Sequence, residues 1–232
     1  MSRTVSAARS AAGGYAEYVT APARQFARKP ATVGHEEAAA VPLAALTAWQ
    51  ALVDTAELRA GQRVLIHAAA GGVGHFAVQF AEHLGAYVLA TASGGRHAWL
   101  KELGADEVID YTTVRFEDVA RDVDVVIDLV GDIHDRTSMR SLEVLRPDGL
   151  LVAIPAGVSP ELADAARARG VRVTPFLVEP DGAALTRIAE LIDAAEVVVE
   201  VEDVFPLEQA ALAHTRGENG RTRGKLVLRA TA

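Results

Sequence analysis

Val64-Leu65-Ile66-His67-Ala68-Ala69-Ala70-Gly71-Gly72-Val73-Gly74 decides how this chain folds. Three apolar strand-formers run into a glycine-rich turn, and an amphipathic segment opens directly behind it. Glycines let a backbone approach a phosphate closely, and the first turn of a helix offers free N–H groups and the positive end of its dipole. Strand, glycine turn and helix in that order cradle a dinucleotide pyrophosphate. Behind the turn, Phe76, Ala77, Phe80, Ala81 and Leu84 share one stripe, with His75, Gln79, Glu82 and His83 opposite. That spacing predicts a helix over residues 73–84, apolar face inward and polar face outward.

The same alternation continues on both sides. Apolar runs at 63–67, 86–91, 107–111, 123–130, 150–154 and 171–174 read as strands. Segments 98–103, 136–145, 161–168 and 183–194 read as helices, and Arg146-Pro147-Asp148-Gly149 is a turn closing the second of these. The strands are continuously apolar, which marks a sheet buried on both faces. An α/β fold follows, a doubly wound parallel sheet of Rossmann type. Upstream, Tyr15-Ala16-Glu17-Tyr18-Val19 reads as a strand, and a helix from Glu36 to Ala56 is interrupted at Pro42. Downstream come a Val/Glu-rich strand near 197–204, a helix at 207–214 and a last strand at 225–229. No internal repeat appears.

Cofactor choice is read at the end of the second strand, where NAD sites place an Asp or Glu on the ribose hydroxyls. Here the residues are Ala90-Thr91-Ala92-Ser93-Gly94-Gly95-Arg96-His97, without an acid. A Ser93 hydroxyl and an Arg96 guanidinium suit a 2′-phosphate, which points to NADPH. Tyr111, at the end of the third strand, is placed to cover the adenosine.

Composition excludes several other classes. The chain has 232 residues, half of them apolar, a net charge of −8 and no cysteine. An acidic chain is a poor partner for nucleic acid or an anionic membrane. Without cysteine there is no disulfide and no Cys-rich zinc site, and no metal site is expected. No apolar run reaches the length of a membrane span. Residues 1–14 carry Arg3 and Arg9 and no acid, as a transit peptide would. Arg outnumbers Lys by 20 to 3, a coding bias of high-GC bacteria, so a short flexible start and a cytoplasmic protein are expected. His35-Glu36-Glu37 begins like a zinc protease motif but lacks the second His. Ser138, Ser141 and His134 are close in sequence without a nucleophile elbow. Asp124 and Asp128 share a strand face, and Asp128 reads better as a capping acid than as a site residue. Arg216, Arg221, Arg223 and Lys225 read better as a solvated turn than as a phosphate site.

The chain resembles the medium-chain dehydrogenase/reductase superfamily, in its zinc-free quinone oxidoreductase and enoyl reductase branch. The resemblance is carried by residues 14–19 (GYAEYV), 36–49 (EEAAAVPLAALTAW), 69–74, Leu103-Gly104-Ala105-Asp106, Val108-Ile109-Asp110-Tyr111, 145–149 and Thr222-Arg223-Gly224-Lys225. It implies that Gly71, Gly72 and Val73 meet the pyrophosphate of NADPH, with Ser93, Arg96 and Tyr111 around the 2′-phosphate and adenosine. It places Thr47, Val130 and Ile154 beside the nicotinamide. It implies hydride transfer to a quinone or activated C=C bond of a small-molecule substrate, without metal. Family members begin with a GroES-like β domain, of which only a last strand at 15–19 has a counterpart here. The expected organisation is therefore a remnant of that domain with a connecting helix at 1–46, the dinucleotide-binding domain at 47–196, and a C-terminal return segment at 197–232. The family's catalytic residues in the GroES-like domain have no counterpart, so no catalytic residue is assigned. Two further readings follow: a repurposed biosynthetic enzyme doing non-redox cyclisation or isomerisation, and a non-catalytic NADPH-binding or partner subunit. Apolar surface left by the absent domain favours a homo-oligomer, a dimer being the simplest.

Overall fold

A computed structural model describes residues 14–133, 135–155 and 157–230. The first helix, α1, spans His35–Trp49 and continues through a π-helical turn, Gln50–Thr55. Then β1 (Arg63–Ile66), α2 (Gly74–His83), β2 (Tyr87–Ala92), α3 (His97–Glu102) and β3 (Glu107–Asp110) form the first half of the sheet. The second half is α4 (Phe116–Val119), β4 (Val123–Asp128), α5 (Thr137–Ser141), β5 (Leu145–Ala153), α6 (Pro160–Arg169) and β6 (Arg172–Pro175). Last come α7 (Gly182–Asp193), β7 (Val201–Pro206), α8 (Ala210–Glu218) and β8 (Lys225–Arg229).

All pairs in the main sheet are parallel, in the order β3-β2-β1-β4-β5-β6. The chain winds outward from β1 to β3, then crosses back to lay β4 on the other side of β1. That reversal opens a crevice at the C-terminal ends of β1 and β4. Successive strand residues face opposite layers, and both layers are apolar. Val64, Ile66, Val88 and Ile127 pack under α1 and α2, while Leu65, Leu89 and Val126 pack against Phe116, Leu142 and Leu162. Both faces are covered, so the strands carry no polar alternation. β7 and β8 pair in parallel as a separate two-stranded sheet. Among the described residues, no helix is long and apolar enough to cross a membrane.

Several sequence expectations need correction. Residues 15–19 form no strand, and Tyr15, Tyr18 and Val19 are exposed. A strand persists only where a neighbour takes up its N–H and C=O groups, and no described strand pairs with this segment. Pro42 does not interrupt α1. Its missing N–H and ring cost about 3 kcal/mol in a helix interior. The helix persists because Val41, Ala44, Ala45 and Ala48 are buried, and Trp49 meets Phe80 of α2 edge-on at 5.2 Å. The helix expected at 136–145 is only Thr137–Ser141. The turn at 146–149 sits inside β5 as an irregularity of the parallel pairing, since Val123 pairs with Leu145 and Val125 with Leu150. α4 has no expected counterpart, and the strand expected near 197–204 begins only at Val201. The transit-peptide reading of residues 1–14 and the His134 reading concern positions outside the described residues, apart from Gly14.

Candidate functional site

The glycine turn begins where β1 ends. Ala68 takes a left-handed conformation (φ 48°), and its carbonyl accepts the Gly71 N–H at 3.0 Å. That carbonyl also fixes the identity of Gly74: a Cβ there would lie 2.4 Å from it and 2.6 Å from the Ala69 Cα. Only glycine lets α2 start this close to the strand.

Gly72 is crowded less rigidly, by the side chain of a residue from the other end of the chain. A Cβ on it would lie 2.7 Å from Cδ of Lys225 and 3.3 Å from its Nζ. Lys225 is brought there by Gly224, whose N–H donates to the Ala70 carbonyl at 3.0 Å and whose φ is +67°. The Lys225 side chain is partly buried, and that burial lowers its pKa. Among the described residues no carboxylate pairs with it. An ammonium group over a glycine turn at a helix N-terminus is a counter-charge for a phosphate. Lys225 is therefore less solvated than the turn reading of this basic patch expects. Arg223 is also engaged, bonded to Glu200 and held 5.0 Å over the Trp99 ring, and Arg216 pairs with Glu202.

Beside the turn lies a cavity of about 470 Å³. It brings together Gly71, Ser93, Arg96 and Tyr111, with Thr91 below and Gly220, Arg221 and Thr222 opposite. Arg96 donates to the Arg221 carbonyl at 2.8 Å, which joins the β2 loop to the loop between α8 and β8. Asp110 is the nearby acid. Its carboxylate takes the Thr112 amide at 3.0 Å and hydroxyl at 2.6 Å and also bonds the Gly94 amide, so its pKa is lowered, chiefly by the Thr112 hydroxyl. That leaves Ser93 and Arg96 as the polar wall at the end of β2.

The other expected residues lie apart from this cavity. Gly72 and Val73 continue the turn into α2. Val130 and Ile154 follow β4 and β5 on the same C-terminal edge of the sheet. Asp128 arranges them: Oδ1 accepts the Val130 and Gly131 amides, both at 2.9 Å, and its carbonyl accepts the Ile154 amide at 3.2 Å. Its other oxygen accepts the Ser138 hydroxyl. Asp128 therefore fixes a loop and α5 together. Thr47 is buried in α1 with its hydroxyl donated to the Leu43 carbonyl at 2.7 Å. A larger cavity, about 700 Å³, opens between the π-helical turn and the end of β6. It is lined by Asp54, whose pKa is raised by burial and by Asp181.

The expected polar face of α2 is also corrected. His75 and Gln79 are buried under residues 197–200. Gln79 brackets Val198, accepting its amide at 2.7 Å and donating to its carbonyl at 3.1 Å. His75 donates from Nδ1 to the Gly71 carbonyl at 3.0 Å, which leaves Nε2 bare toward the Glu200 amide. Burial pushes the His75 pKa down to about 4.

Residues 103–228 match the zinc-binding dehydrogenase family. The residues here do not fit a zinc site: the chain has no cysteine, and among the described residues no three His, Asp or Glu side chains gather as ligands. The chain is 32% identical to the mitochondrial NAD(P)H oxidoreductase RTN4IP1 of Danio rerio, over 93% of this chain and 62% of that protein. It superposes on the quinone oxidoreductase of Coxiella burnetii with a TM-score of 0.81 at 36% identity, covering 88% of this chain and 63% of that one. Against the Escherichia coli quinone oxidoreductase complexed with NADPH the TM-score is 0.77 at 31% identity, covering 87% and 67%. The chain thus spans about three fifths of the length of the first two relatives. Sheet order, glycine turn and relatives agree: the chain belongs to the medium-chain dehydrogenase/reductase superfamily, in its quinone oxidoreductase and enoyl reductase branch.

Proposed function

We propose that this chain binds NADPH in the cavity beside the glycine turn and serves as a reductase of quinones or activated C=C bonds. The observation that carries the reading is the convergence of Gly71, Ser93, Arg96 and Tyr111 on one cavity, with the Lys225 amine, which has no carboxylate partner among the described residues, over Gly72. The residues fit the cofactor in kind. Gly71, Gly72 and the first amides of α2 would meet the pyrophosphate, with Lys225 as counter-charge. Ser93 and Arg96 would hold the 2′-phosphate, and Tyr111 would cover the adenosine. Val130, Ile154 and Thr47 belong to the nicotinamide end. NADPH, when bound, supplies a hydride to an electron-poor carbon. The protein's part is to hold that end of the crevice in place, and Asp128 does so by fixing the amides of Val130 and Gly131. Self-association as a homodimer is part of the same proposal. The test is NADPH oxidation followed at 340 nm with a panel of quinones and enones. Acceptor-dependent loss of absorbance is expected, and no loss across the panel overturns the reductase reading.

A further inference from the structure

Directly beneath the glycine turn, His67 is buried to 2% exposure and takes no part in the cavity wall. Its amide donates to the Ile127 carbonyl at 3.1 Å, and its ring meets Phe116 edge-on at 4.5 Å. Both ring nitrogens are engaged: Nε2 lies 2.9 Å from Ser141 Oγ and Nδ1 lies 3.1 Å from Thr91 Oγ1.

The direction of every bond in this group can be worked out. Ser141 donates its one hydroxyl proton to the Thr137 carbonyl at 2.7 Å. Its oxygen can then only accept, so His67 carries its proton on Nε2. Nδ1 is left bare and accepts the Thr91 hydroxyl proton. A Thr91 lone pair therefore faces the Ala68 amide, 3.3 Å away. The Thr91 carbonyl accepts the next amide, that of Ala69, at 3.0 Å. The result is a one-way chain of donors: Ala68 amide to Thr91 hydroxyl to His67, then His67 to Ser141 hydroxyl to Thr137 carbonyl.

This chain starts at a strained point and ends in a helix that the site also uses. Ala68 is the left-handed residue that opens the turn, a conformation that costs a non-glycine residue energy. α5 reaches the β4 loop as well, because Ser138 donates to Asp128, and Asp128 holds Val130 and Gly131. Resting on the NADPH reading above, we propose that His67 is a positioning residue: its Nε2–H tautomer orients Thr91 toward Ala68 and so holds the pyrophosphate turn in register with the β4 loop beside the nicotinamide. It lines no part of the cavity and acts only through Thr91 and Ser141. Burial keeps the ring neutral, with its pKa pushed down to about 4. Asp128, Arg140, Asp135 and Glu117 face it, the three carboxylates raising its proton affinity and Arg140 lowering it.

Two readouts test this on the full chain. The first needs no cofactor: ¹⁵N NMR of the imidazole between pH 6 and 8, together with hydrogen exchange of the Ala68 amide. A neutral Nε2–H ring and a protected amide are expected, with protection lost in Thr91→Val and kept in Thr91→Ser. A ring protonated on Nδ1, or charged at pH 7, overturns the proposal. The second is NADPH affinity. His67→Asn keeps an acceptor toward Thr91 but loses the Ser141 link, and a loss of about threefold is expected. His67→Gln reaches toward Ser141 but removes that acceptor, and about a tenfold loss is expected. Equal affinity of the two variants overturns the proposal. Should either fail to fold, the Ala68 exchange of the Thr91→Val and Thr91→Ser pair decides the proposal, since Thr91 itself lines the cavity and its affinity change would be direct. Failure of wild type to bind NADPH overturns the cofactor reading instead, and the NMR and exchange results still decide the tautomer.

Discussion

Lys225 sets a positive charge against Gly72 without a carboxylate to neutralise it among the described residues. If its role is to meet the pyrophosphate, Lys225→Ala should weaken NADPH binding about tenfold, the size of one charge-assisted contact. The loss should shrink as salt rises, since wild type also weakens with ionic strength. Fluorescence titration at two salt concentrations measures it, and an unchanged Kd at low salt contradicts the role. Gly71, Ser93, Arg96 and Tyr111 were legible in the sequence because each follows a strand end, and local pattern places strand ends. Lys225 was not, because its approach to Gly72 depends on a tertiary contact through Gly224. The available signal was small: a glycine followed by a lysine at the start of an apolar strand.

Among the elements, α2 shows the limit of periodicity. Its 3.6-residue spacing identifies which residues share a face, and both faces were correctly grouped. Spacing does not say what covers a face. His75 and Gln79 were expected in solvent, yet residues 197–200 lie over them, an irregular segment whose backbone the Gln79 amide satisfies. Gln79→Ala would leave the Val198 amide and carbonyl without their partner. A loss of about 1–3 kcal/mol in urea unfolding is expected, and unchanged stability would show that water replaces the side chain freely. The segment at 15–19 teaches the converse. Its residues have strand character, but a strand exists only with a neighbour, and none of the described strands is one.

For the molecule as a whole, two buried imidazoles set a pH dependence. His67 and His75 are held to about 4 by burial, against 6.5 for a free ring. Between those values the unfolded chain binds protons that the folded chain does not. Stability is therefore constant in this respect above pH 6.5 and falls as pH drops toward 4, by about 1.4 kcal/mol per unit for each ring. Glu117, held to about 2 mainly by its Arg140 hydrogen bond, adds a second loss below pH 4.5. Urea unfolding at pH 7.5 and 5.5 should show the first loss, half of it would remain if only one ring were buried neutral, and equal stability would mean that both rings are solvated. The fold class was legible throughout because the alternation of strands and helices recurs over most of the chain. The central claim concerns which dinucleotide the crevice selects, and it rests on Ser93 and Arg96 at the end of β2. Isothermal titration of the chain with NADPH and with NADH tests it most directly. NADPH should bind at least tenfold more tightly, and Arg96→Ala should erase most of that preference. Equal affinity for the two, or no binding of either, would contradict it.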